Sequence, residues 1–177
     1  MLHESEPDNR KSIPKTLSKQ VNKKQFDWKC LVGTTAVFTS LTATSLFLLG
    51  RTLSGVAEGP GLWTGNIHGV LNSQLLADPF TLVHFNHGIG LFLVLSAAAG
   101  KIAVEKRFGV AFAAEAVWEV VENTPFAIEN FRQVGMRQGY CGDSVLSSIG
   151  DLGAAGAGFL AAAGLAAHPL GRNLPAE

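Results

Sequence analysis

Four apolar runs, separated by polar or glycine-rich stretches, organise the chain. Residues 30–50 carry no charge, and their length suits a helix of about 20 residues spanning a bilayer. The second run, residues 82–100, is broken near its start by His84, Asn86 and His87. A third, residues 108–121, holds Glu115 and Glu119, so hydropathy alone passes over it. The fourth, residues 145–167, is rich in glycine and alanine. Its five glycines would weaken a helix in water. Between membrane helices, small residues instead allow close contact. No strand alternation is visible. The pattern predicts an all-α fold, a polytopic membrane helical bundle with four transmembrane helices.

The intervening stretches set the organisation. Residues 1–29 are polar and lysine-rich and read as a disordered cytoplasmic arm. Residues 30–168 form a four-span membrane domain, and residues 169–177 a short cytoplasmic tail. A secretory signal peptide competes for the first run, because Gly55 and Ala57 offer a small-x-small site. The long polar arm and the long apolar core favour an uncleaved anchor. Residues 51–81 form a glycine-punctuated loop in which Trp63 suits a membrane interface. The sequence Asn123-Thr124-Pro125 predicts a helix stop, since a residue before proline avoids the helical region. Residues 126–142 then form a loop or a short surface helix.

Lysine and arginine give the orientation. They crowd the arm and the linker with Lys101, Lys106 and Arg107, whereas the other loops hold only Arg51, Arg132 and Arg137. The positive-inside rule places both termini in the cytoplasm. Cys30 and Cys141 then fall on opposite sides of the membrane, so no disulfide is expected. Neither has a Cys-x-x-Cys partner, so no thiol zinc or redox site is indicated. Of 177 residues, 47% are hydrophobic and 16% charged, against about 25% charged in average soluble domains. A formal net charge of +0 gives no global signal for a nucleic-acid partner.

Candidate chemistry lies on three polar stripes. Glu115, Glu119 and Glu122, spaced by four and then three residues, share one helical face. His84 and His87 share another, and Ser144, Ser148 and Asp151 open the fourth run. The predicted orientation puts all three stripes at the outer side. A charged carboxylate at mid-span costs about 2.5–3.5 kcal/mol, so Glu115 and Glu119 need a partner. Imidazole and carboxylate together suit zinc, manganese or iron. His84, His87, Glu115, Glu119 and Asp151 are therefore candidate metal ligands, and Glu122 or Asp143 a candidate general base. The ordinary roles stand beside these. One of Asp143 and Ser144 is expected to cap a helix, Asp78 to hold a turn, and Trp118 to pack. His3, His68 and His168 carry no assigned role.

Three blocks, NSQLLADPFTLVHFNHG, EAVWEVVENTPFAIENFR and YCGDSVLSSIGD, resemble the signature blocks of uncharacterised protein family 0314 over roughly residues 72–167. The resemblance implies a small multi-pass bacterial membrane protein and supplies no reaction. Matching positions include Asn72, Ser73, Asp78, His84, His87, Gly88, Glu115, Trp118, Glu119, Glu122, Asn123, Tyr140, Gly142, Asp143, Ser144, Ser148 and Asp151. The chain departs from that pattern at Ser147, where asparagine is expected, and at Gly150, where serine is expected. The reading that follows is a bacterial plasma-membrane protein, hypothesised to be a metal-dependent hydrolase or transferase. Its substrate would be a lipid or envelope precursor at an outward-facing site. The alternatives are a non-enzymatic cation- or proton-binding or transport protein, or a structural subunit whose glycine-rich fourth span meets a partner helix. Gly153 and Gly156 are expected to close-pack that span against the site.

Overall fold

The computed structural model describes residues 27–55, 61–133 and 140–168. Most of the arm, the tail, Ala57 and Arg137 lie outside these residues, and so do the expectations resting on them. Five helices follow in order: α1 Trp28–Leu48, α2 Thr81–Ala99, α3 Val104–Glu122, α4 Pro125–Gln133 and α5 Val145–Ala167. Among the described residues, extended pairing is confined to one isolated parallel bridge between Trp63 and Ala77.

Local chemistry sets the boundaries. Asp27 caps α1 by accepting from the Cys30 amide at 3.0 Å. Gly50, just past the end of α1, has φ 78°, a left-handed conformation that glycine adopts without strain. Ser144 caps α5: its Oγ accepts from Ser147 N at 3.1 Å and donates to Gln74 O at 3.1 Å. The stop at Asn123-Thr124-Pro125 is realised, with α3 ending at Glu122 and α4 opening on proline, whose missing N–H costs nothing in a first turn. The third apolar run extends four residues further back than its apolar part, to Val104. Glu105 there sits in the first turn, where a carboxylate suits the helix dipole. Arg107 donates to Ser96 Oγ at 2.5 Å and lies 5.6 Å above the Phe92 ring, fastening the start of α3 to α2.

The four long helices pack on one another, with α2 against α5 the most extensive pair. Phe92, Phe108, Phe112, Leu152 and Phe159 build an apolar core, with Phe159 edge-on to Phe92 at 5.3 Å and to Phe108 at 5.5 Å. The rest of the interior is polar: His84, Glu115, Glu119, Glu122, Asn123, Asp143, Ser148 and Asp151 are all buried. Outside, Val32, Leu41, Phe47, Leu93, Val94 and Val117 are exposed. Trp118, expected to pack, is 43% exposed and joins this apolar surface. Such an inversion of the soluble pattern fits a lipid surround. Three helices, α1, α2 and α5, are long and apolar enough to cross a membrane, which suggests membrane association. The fourth expected span, α3, is 19 residues long but carries six charged residues and falls outside that group.

Of the two glycines expected to pack closely, Gly156 does and Gly153 does not. Gly153 faces open space, and Gly156 meets the Phe112 ring. The backbone-to-backbone approaches are elsewhere. A Cβ at Gly158 would strike the Phe85 carbonyl, one at Gly88 the Ala155 carbonyl, and one at Gly150 the Leu76 carbonyl. Gly150 is the position where the family pattern led us to expect serine, and the Leu76 carbonyl fills the space a side chain would need.

Candidate functional site

Helix periodicity brings the acids together. Glu115, Glu119 and Glu122 project from one face of α3 and are 3%, 0% and 4% exposed. Opposite them, His84 sits on the first turn of α2, 3% exposed. Its Nδ1 lies 2.6 Å from Glu115 Oε1 and 3.2 Å from Glu119 Oε1, and its Nε2 lies 3.9 Å from Asp151 Oδ2. His87, one turn along, places its Nδ1 3.2 Å from the same Glu115 oxygen, with its side chain 41% exposed. The two rings meet edge to face at 5.4 Å. Among the described residues, Glu115, Glu119 and Asp151 pair with histidine rather than with lysine or arginine.

Two overlapping triads could hold a metal ion: His84, His87 and Glu115, and His84, Glu119 and Glu122. In each, one donor atom per residue lies within 4.8 Å of the others. Donors sharing a tetrahedral ion at about 2.0–2.1 Å stand roughly 3.3 Å apart. The His84–Glu119 and His87–Glu115 separations match that figure. The shorter His84–Glu115 contact is a hydrogen bond, whose proton a metal would displace. The donor set fits a borderline divalent ion. The polar atoms that make no hydrogen bond fit it too: both Glu119 oxygens, Asp151 Oδ1 and the hydroxyls of Ser147 and Ser148. Ser148 neighbours Glu119, yet without hydrogen-bond geometry. Buried polar atoms in native proteins are nearly always satisfied, and the unsatisfied oxygens of Glu119 and Asp151 belong to the two acids on either side of His84.

Each residue singled out from the sequence has a definite place. His84, His87, Glu115 and Glu119 come together. Glu122, expected as a base, stands with the candidate ligands of the second triad. Asp151, expected as a ligand, lies behind His84 on its other ring nitrogen and belongs to neither triad. Asp143 stands apart. Its Oδ2 accepts from Tyr140 Oη at 2.8 Å and from Asn123 Nδ2 at 2.9 Å, and its amide donates to Asn123 Oδ1 at 2.7 Å. Ser144, not Asp143, caps the helix. Asp78 holds its turn as expected, accepting from Ser73 N at 2.6 Å and from Phe80 N at 2.7 Å.

From the sequence, Asn123 has a place in a helix stop and in the family pattern, and Arg51 is only a charge. Both prove central. Asn123 Nδ2 also donates to Glu119 O at 2.9 Å, tying the acidic helix to the start of α5. Arg51 donates to Cys141 O and to Leu49 O. It lines a cavity of about 500 Å³ with Thr52, His68, Asn72, Gln74 and Asp143. Only the fold reveals this cavity, because its walls come from segments some 90 residues apart.

Comparison with known proteins agrees with the three blocks. The family model described as "Protein of unknown function (DUF2585)" matches residues 46–169. A UPF0314 protein of Sphingopyxis alaskensis is 35% identical over 127 residues, covering 72% of this chain and 68% of that protein. One from Brucella anthropi is 40% identical over 104 residues, 59% of this chain and 53% of its own length. One from Paracoccus denitrificans is 35% identical over 132 residues, 73% and 68% respectively. The chain thus spans about half to two thirds of these relatives. No solved structure matches.

Proposed function

This chain belongs to the DUF2585 family of proteins of unknown function, and we propose that it is a four-span membrane protein holding a divalent cation at its His–Glu cluster. In this reading it acts as a hydrolase or transferase on a lipid or envelope precursor. One observation carries the proposal: two histidines and three glutamates from two helices form two triads that share the buried His84, and both Glu119 oxygens there lack hydrogen-bond partners. The α3 helix, about 28 Å long at 1.5 Å per residue, supplies the fourth span, its acids turned inward. Both termini lie in the cytoplasm of a bacterial plasma membrane, with the cluster toward the outer side.

The residues divide by position. His84, His87, Glu115 and Glu119 are the proposed ligands, with Glu122 completing the second triad and Asp151 steadying His84 from behind. A bound divalent ion would lower the pKa of a water to near neutrality and offset the clustered negative charge. Asp143 is the proposed base. Tyr140 and Asn123 both engage its Oδ2, and Oδ1 is the atom proposed to take a proton.

A second reading, a cation- or proton-binding or transport protein, is favoured by the gradient of burial. Glu119 is sealed while the His87 side chain is 41% exposed, so the cluster runs from interior to surface. A purely structural role sits badly with the orphaned oxygens, because packing needs none of them. Elemental analysis of detergent-purified protein is the test. Stoichiometric zinc, manganese or iron, lost in a Glu115→Gln/Glu119→Gln double variant, supports the site. A folded wild-type protein that takes up no divalent metal at millimolar supply refutes it. Turnover of a lipid phosphate or envelope precursor by the loaded protein separates the enzyme from the carrier.

A further inference from the structure

We propose that the cavity beside Asp143 binds the phosphate-bearing headgroup of an anionic lipid. The cavity has about 500 Å³, within the range of small-ligand sites. Its polar wall contains Arg51, Thr52, His68, Asn72 and Gln74. A guanidinium offers five donors, and Arg51 spends two of them on the carbonyls of Cys141 and Leu49. Its Nε is buried and makes no hydrogen bond among the described residues. Among the described residues, Arg51 is the one lysine or arginine in that wall. Among the described residues the acid in the wall, Asp143, is 3% exposed and bound by Tyr140 and Asn123, so the charge these residues present to the cavity is positive. Arginine matches the geometry of a phosphate.

The rim identifies the source of that phosphate. Val70 lines the cavity and is 92% exposed, as is Ile67 at 46%. Leu53 and Leu62, in the same connection between α1 and α2, are 69% and 74% exposed. A polar chamber with an apolar lip, at the ends of apolar helices, matches an amphiphile and not a free solute. Asn123 holds Asp143 with the same Nδ2 that binds the Glu119 carbonyl, so an occupant of the cavity is one hydrogen-bonded residue from the acidic helix. As an assignment of substrate class this rests on the proposed metal site, but headgroup binding is measured separately from metal.

Cys141 supplies the readout. It is an exposed cysteine in the cavity wall and in no disulfide, whereas Cys30, likewise in no disulfide, lies near the start of α1 at the other end of the bundle. The full chain in an uncharged detergent is labelled with a maleimide in the presence of dioctanoylphosphatidylglycerol, dioctanoylglycerol or glycerol 3-phosphate. Phosphatidylglycerol is expected to slow Cys141 labelling about tenfold or more and to leave Cys30 unchanged. The other two compounds are expected to do nothing at the same concentration. Arg51→Gln should abolish the protection. Val70→Glu, a change at an exposed rim position that needs no refolding, should also abolish it by repelling the headgroup. Metal content, measured in the same samples, should stay at the wild-type level. Failure of phosphatidylglycerol to protect, equal protection by dioctanoylglycerol, equal protection by glycerol 3-phosphate, or protection surviving in both variants would each overturn the proposal. A metal-free protein with intact, Arg51-dependent protection would uphold the cavity and remove only the metal site.

Discussion

The contact between α2 and α5 can be tested with a single methyl group. Gly158 and Gly153 both lie inside α5, but a Cβ at 158 would strike the Phe85 carbonyl, and one at 153 would meet nothing within 4 Å. Replacing glycine by alanine in a helix gains about 0.8–1 kcal/mol from backbone entropy, and both variants receive that gain. Only Gly158→Ala adds an overpacking cost, about 1–3 kcal/mol when a methyl is forced against fixed atoms. The obstruction here is main chain, so no flexible side chain can move aside. Gly153→Ala is therefore expected to stabilise by about 0.8–1 kcal/mol, and the two variants to differ by about 1–3 kcal/mol. At roughly 2–4 °C per kcal/mol for a chain of this size, Gly158→Ala should melt about 2–12 °C below Gly153→Ala. Thermal unfolding in detergent, followed by helical circular dichroism, gives the comparison. The displacement should also disturb His84, which precedes Phe85, so bound metal should fall in Gly158→Ala alone. Equal melting temperatures, or a more stable Gly158→Ala, would refute the close approach.

Other consequences are independent of that contact. Glu119→Gln keeps size and polarity but removes the anionic oxygens, and is expected to lower bound metal about tenfold or more with the helical signal retained; unchanged metal removes Glu119 from the site. Zinc or manganese at 100 times its dissociation constant should add about 2.7 kcal/mol to stability, visible as a rise in melting temperature that a chelator reverses. Metal ligands must shed their protons, so bound metal should decline as pH is lowered and return on neutralisation; metal retained undiminished in acid would point away from histidine ligation. An impermeant maleimide applied to intact cells should modify Cys141 and spare Cys30, and the reverse pattern would invert the topology.

Much of this was legible in the sequence, because apolar length and spacing are local properties. The fourth run matches α5 end to end, and the proline of Asn123-Thr124-Pro125 separates α3 from α4. The face shared by Glu115, Glu119 and Glu122 follows from helix geometry alone. Their meeting with His84 was inferred from polar stripes at one depth, and the distances now place those residues together. What failed depended on rotation about a helix axis. Spacing shows that α5 is lined with small residues, but only its orientation against α2 decides that Gly150 and Gly158 face a backbone and Gly153 does not. Trp118 likewise points outward, a direction set by neighbours and not by its own sequence. Arg51 and Asn123 were undervalued because each acts across a large separation in the chain, where a single sequence offers no signal.

The position of α3 also bears on the order in which the protein must assemble. Its outer face, with Val110, Val117, Trp118 and Val121, is exposed and apolar, while its acids need company. Two mid-helix carboxylates without partners would cost about 5–7 kcal/mol in a membrane. One partner, His84, is synthesised before α3. Asp151 on α5, which faces the other ring nitrogen of His84 at 3.9 Å, emerges from the ribosome only afterwards. For the interval between, the acids of α3 face a histidine that has no support on its other side. A chain stopped before Val145 would lose more than its last helix: α3 should remain water-accessible, as cysteine substitutions along its acidic face would report. On the proposed four-span reading, the late α5 therefore acts on its own predecessor, and its arrival is expected to commit α3 to the bundle.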